Sequence, residues 1–160
     1  MLKNTKLIMI LTVALWGFIS AFQNVINWNG TLVAINAATS MTTIAGGAES
    51  WQATSHPLII WMGALFVVGS KLATGALCSI GAVGMWRAQK SNLAAYTLAK
   101  EIALTGCAVG IIMLFGGFIV IAEGWFELWR SESMRESVLD SAFRYGGMIA
   151  LIALFVASED

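Results

Sequence analysis

Lys71 stands inside the apolar run FVVGS-Lys-LATGALC, and it is the residue of this chain whose type and setting point most directly to chemistry. An ammonium placed mid-bilayer costs at least ~2.5–3.5 kcal/mol on insertion scales, so it marks a site unless something nearby offsets its desolvation. The expected partner follows from helix register. If the second and third apolar segments form an antiparallel hairpin, Trp86 lies beside Lys100 and Lys71 beside Phe115. Glu123 is then about 12 Å further along and Glu101 about 21 Å away in the other direction. Only Glu123 is in reach of a stretched lysine, directly or through water. The alternative is a lysine that snorkels, or that bonds Thr12, Ser70 or a backbone carbonyl. Other chemistry lacks its residues. His56 is the single histidine, so the chain alone cannot supply both ligands of a bis-histidine haem. The sequence holds no CxxC metal motif, no phosphate-binding glycine loop, no nucleophile elbow and no pair of buried carboxylates. We expect no enzyme, no metal site and no cofactor. Cys78 and Cys107 lie in apolar runs and read as small core residues.

The elements that must position Lys71 follow from composition. Of 160 residues, 58% are apolar and only 11% charged, against about 25% charged in soluble domains. So little polar surface cannot cover a globule in water, and lipid must be the solvent for much of the exterior. A net charge of zero gives no argument for nucleic acid. A helix needs about 20 apolar residues to cross about 30 Å of hydrocarbon. Four segments qualify, predicting helices at about 7–26, 57–86, 100–122 and 137–157 in one domain over 1–160. The first reads as a retained helix rather than a cleaved signal peptide. Open sheets are excluded in lipid, and the alternation of a barrel is absent. The fold class is therefore an all-α integral membrane protein, a bundle of four transmembrane helices.

Orientation follows from Lys and Arg. Lys3 and Lys6 precede the first helix, and Arg87, Lys90 and Lys100 fill the middle loop. The first long loop has no Lys or Arg, and in the third Arg130 and Arg135 are outnumbered by acids. Both termini and the middle loop are expected in the cytoplasm. Probes near Ala48 and Ser133 should then be reachable from outside, and probes near Ser91 and Ser158 should not. Trp28, Trp51, Trp61, Trp125 and Trp129 sort to the outer boundary and Trp86 to the inner one, as an aromatic belt does; Trp16 is expected to pack. In the first loop TLVAINAATSM predicts a short interfacial helix, with Leu32, Val33, Ile35 and Met41 dipping into the membrane surface. In the third, Asp140 and Arg144 are spaced as a favourable i,i+4 pair. Gly106, Gly110 and Gly117 recur at helical spacing and predict close helix packing. Gly63, Gly69, Gly75 and Gly81 recur every sixth residue and wind slowly round their helix.

Two stretches carry a resemblance. KLATGALCSIGAVGMWRA and FGGFIVIAEGWFELWRSESMRESVLDSAFRYGG resemble the family of bacterial predicted small integral membrane proteins, domain of unknown function 2165. The likeness covers nearly the whole chain. It implies four helices in an inner membrane and no established activity. It also implies an acidic residue at the place of Lys71 in many relatives, a point at which this chain departs from the pattern. Glu123, Trp125, Trp129 and Arg144 fit the pattern and are the set the resemblance singles out.

The function expected is an accessory or structural subunit of a larger bacterial membrane complex, without its own cofactor. It would touch membrane lipids and either other subunits or its own copies. A small oligomeric transporter or channel, with Lys71 and Glu123 near the path, is the alternative. A lipid- or quinone-binding module is the third reading.

Overall fold

The apolar runs become helices here, and two of them open on a capping side chain. The computed structural model describes residues 2–90 and 92–158; the labelling position at Ser91 lies outside them. α1 (Leu2–Ile26) begins earlier than the apolar run, because Lys6 does not end it. Lys6 is fully buried and donates from Nζ to the Ser158 carbonyl at 2.7 Å. α2 (Trp28–Thr39) follows after a bend at Asn27. α3 (Pro57–Ala88) opens with Pro57 in its first turn, and the ring Nδ1 of His56 accepts the Leu58 N–H at 3.2 Å. Proline fits there because that turn's N–H groups have no intrahelical partner. α4 (Leu93–Ile111) starts ahead of Lys100, where the charge pattern would have opened it. Its start is set by Asn92, whose side chain accepts the Ala95 N–H at 3.0 Å.

Beyond Ile111 the same rod continues to Trp125 in π-helical form, with i→i+5 bonds such as Phe126 N–H to the Ile121 carbonyl at 3.0 Å. A shorter π-helical segment, Arg135–Asp140, leads into α5 (Ser141–Ala157). Four spans are long and apolar enough to cross a membrane: Leu2–Ile26, Pro57–Ala88, Leu93–Trp125 and Arg135–Ala157. Only 17% to 33% of each span's most apolar stretch is buried in the bundle, so lipid must solvate the rest. The chain is an all-helical integral membrane protein.

Glycine sets the central hairpin of α3 and α4. A Cβ on Gly81 would stand 2.6 Å from the Ala103 backbone nitrogen, and one on Gly106 would stand 2.9 Å from that of Cys78. Gly110 lies against Thr74, and Gly117 against Phe66. This register puts Lys71 level with Met113 rather than Phe115. The winding glycines of α3 meet different neighbours: Gly63 faces Ile35 of α2, Gly75 faces Phe18 of α1, and Gly69 faces nothing within 4 Å. Cys78 and Cys107 are free thiols, fully buried, with sulfurs 4.0 Å apart.

The two ends of the bundle are closed differently. At the terminal end, Lys6 of α1 and Lys100 of α4 both donate to the Ser158 carbonyl, and Lys3 lies 4.6 Å from the Tyr96 ring centre. The start of α1 and the end of α5 therefore lie on one side. At the α2 end, the two long loops lock together as a cap. Met41, Ile44 and Phe126 form a small buried cluster. Arg130 bonds the Glu127 carboxylate and reaches the Ala45 carbonyl at 3.4 Å. Met41, expected at the membrane surface, is instead fully buried under this cap. It and Glu127 hold positive φ, 54° and 50°, the left-handed conformation that non-glycine residues adopt at tight reversals.

Candidate functional site

The site is made by the bend after α1. Thr31 Oγ1 donates to the Asn24 carbonyl at 3.1 Å across seven residues. In a straight helix seven residues rise about 10.5 Å, so α2 must fold sharply back beside the end of α1. Thr31 is buried there and accepts from Asn24 Nδ2 at 3.0 Å. That bond orients the Asn24 amide, so that Oδ1 is free to accept from Lys71 Nζ at 2.6 Å. The lysine is near the middle of α3, but its amine is level with the last turn of α1. It has climbed toward the α2 end.

Around this pair lies a chamber of about 250 Å³, to which every long helical segment contributes. α1 brings Trp16 and Ser20, the π-helical approach to α5 brings Ser137, and α5 brings Ser141 and Tyr145. No carboxylate of the described residues lines it. Among the described residues, the Lys71 ammonium has no ion-pair partner; a neutral amide oxygen is its protein acceptor. Toward the α2 end a second chamber of about 200 Å³ adjoins it, walled almost wholly by apolar groups such as Ile35, Phe66 and Phe126. Both π-helical segments border these chambers, Phe118 from one and Val138 from the other. Such irregular turns gather at functional sites, where they re-aim side chains.

The family model for predicted small integral membrane proteins, domain of unknown function 2165, matches residues 2–159. The chain belongs to that family. Neither a curated protein nor a solved structure matches it.

In this family member the residues singled out from sequence do not form one site. Glu123 is half-buried on the π-helical segment, lines neither chamber and makes no ion pair with Lys71 among the described residues. The lysine turns to Asn24 instead, because α1 packs closely on α3, with Gly17 against the Lys71 and Gly75 backbone, and so brings that amide within hydrogen-bond distance. Trp125 packs edge-on against Trp51 at 5.2 Å, and Trp28 against Trp61 at 5.3 Å, both pairs belonging to the α2 end. Trp129 is 56% exposed. Arg144 donates to the Ser141 hydroxyl at 3.1 Å, not to Asp140, and so touches the rim of the polar chamber. Gly106 and Gly110 lie on the α3–α4 seam, and Gly117 forms part of the apolar chamber.

The sequence reading missed Asn24, Thr31, Ser20, Ser137, Ser141 and Tyr145. A signal was present for four of them. Ser20 with Asn24, and Ser137 with Ser141, are i,i+4 pairs of small polar residues, and such pairs share a helical face.

Proposed function

We propose that this protein is an intramembrane binding module for a small amphiphile of the bilayer, set in a bacterial inner membrane with both termini in the cytoplasm. One observation carries the reading: a lysine charge held inside the bundle by an amide, with no carboxylate beside it, at the head of a chamber lined by hydroxyls. An intramembrane ammonium is expensive, and chains that keep one generally use it. The polar chamber, about 250 Å³, comes close to the range of small-molecule sites, roughly 300–1,000 Å³. Binding is favoured over catalysis because the lining offers a lysine and hydroxyls but no base aligned on a nucleophile.

The Lys and Arg distribution supports the orientation. The terminal end carries Lys3, Lys6, Arg87, Lys90 and Lys100, and that excess belongs to the cytoplasmic side. The role of accessory subunit is compatible with this reading. Trp51, 82% exposed, and Trp129 give the α2 end an aromatic rim for lipid headgroups or a neighbouring membrane protein. A paired Lys71–Glu123 transport path loses its support, since the two side chains do not meet.

Gentle detergent extraction followed by native mass spectrometry tests the proposal. The expected result is a bound small molecule that leaves on activation and is absent from Lys71→Met. A ligand-free mass under conditions that retain annular lipid would sink it. A co-purifying protein subunit would add the accessory role.

A further inference from the structure

The polar chamber does not end at Lys71. A shallow groove between α1 and α5 lies beside it, and Trp16 and Tyr145, with ring centres 5.7 Å apart, form the wall the two share. From Tyr145 the groove passes Met148 and Ile152 toward the terminal end, with Val13 on the facing wall. It holds about 160 Å³, roughly the space of five liquid waters, enough to seat a short stretch of one acyl chain. Polarity thus falls from Lys71 toward the middle of the bundle. A lipid-like molecule has the same order, with its head nearer one face and its tail toward the bilayer centre.

We infer that the chamber and the adjoining groove take a single-chain amphiphile ending in an oxyanion, with its head on Lys71 and its chain passing the Trp16–Tyr145 pair into the α1–α5 groove. The inference rests on the binding reading above and adds the charge and the direction of the ligand. An ammonium carries three donors, and Asn24 uses one. Among the described residues the remaining donors have no acidic acceptor, and an opposite charge supplied by a ligand offsets desolvation better than a neutral group does. Ser20 and Ser141 add hydroxyl donors to the lining, whereas the Ser137 hydroxyl is already given to the Met134 carbonyl. The apolar chamber under the cap does not take the tail. It lies beyond Lys71 toward the α2 end, so a tail there would invert the molecule relative to its leaflet. Carboxylates and phosphate monoesters share the required head.

The test titrates the full chain in phosphatidylcholine nanodiscs with oleate, oleyl phosphate, oleyl alcohol and oleylamine, read by native mass spectrometry. Both anions should bind at least about tenfold more tightly than the alcohol or the amine, the worth of a charge-assisted hydrogen bond. Which anion binds better separates a fatty acid from a phosphate ester. Asn24→Asp, nearly isosteric, supplies Lys71 with an internal counter-charge and should abolish the preference, whereas Lys71→Arg should keep it. Met148→Trp should weaken binding by blocking the groove, and Ala122→Leu, in the apolar chamber, should leave it unchanged. An alcohol bound as tightly as the anions, or an Asn24→Asp protein that still selects them, overturns the oxyanion head while leaving a binding cleft. Loss of binding in Ala122→Leu but not in Met148→Trp overturns the tail path. If none of the four binds, the binding reading falls and the inference with it.

Discussion

Lys71 of α3 and Asn24 of α1 meet head to head, with the amine 2.6 Å from the amide oxygen, and Thr31 of α2 holds the other end of that amide. Three helices are thereby tied through one side chain. Asn24→Leu should leave the lysine without its acceptor and cost about 1–3 kcal/mol of stability. The same change made on Lys71→Met should cost less, with a coupling of about 0.5–3 kcal/mol for residues in contact. Unfolding by SDS titration in mixed micelles measures the cycle, and simple additivity would mean that the bridge contributes nothing.

Glu123 offers the contrasting case. It lines neither chamber and has no ion pair with Lys71 among the described residues. Glu123→Gln combined with Lys71→Met should therefore be additive within about 0.3–0.5 kcal/mol, in stability and in ligand binding alike. A larger coupling would reveal a second arrangement in which the two charges meet.

Two glycines of α3 should respond oppositely to a side chain. A Cβ at Gly81 would press on the Ala103 backbone at 2.6 Å, while Gly69 has nothing within 4 Å. Gly81→Val should destabilise by about 1–3 kcal/mol or more, since backbone cannot yield as a flexible side chain does. Gly69→Ala should be neutral or stabilising by up to about 1 kcal/mol, from helix propensity alone. Thermal denaturation in detergent separates the two, and equal losses would refute the assigned seam.

The native cysteines permit a topology experiment without being removed. Cys78 and Cys107 are fully buried and should resist a membrane-permeant maleimide until the protein is denatured. Against that silent background, Ala48→Cys and Ser133→Cys at the α2 end should react with an impermeant maleimide added outside cells. Ser158→Cys should react only after permeabilisation. Labelling of Ser158→Cys from outside would reverse the orientation.

The spans were legible because lipid imposes a length and a composition on any helix that crosses it. The glycine seam was legible too, since close approach of backbones needs small residues at helical spacing. What escaped depended on single local events. Asn92 opens α4 ahead of Lys100 by capping it, and the apolar pattern upstream gives little sign of that. The π-helical run from Ile112 has no compositional mark. Asn27 turns the chain so that Asn24 and Thr31 meet, while the packing of α1 on α3 gave Lys71 a partner that the register of the α3–α4 hairpin alone could not suggest. Met41 reads as a residue for the membrane surface until the two long loops are seen to close over it with Phe126.

The contact between Lys6 and the Ser158 carbonyl spans 152 residues, and it bears on how the molecule is made. During synthesis the first helix reaches the bilayer before the Ser158 carbonyl that Lys6 will meet has been translated. Until α5 arrives, α1 lacks that tie to the last helix. Closure of the bundle is thus a late step in biogenesis, and an incomplete chain would present the insertion machinery with a first helix still one bond short.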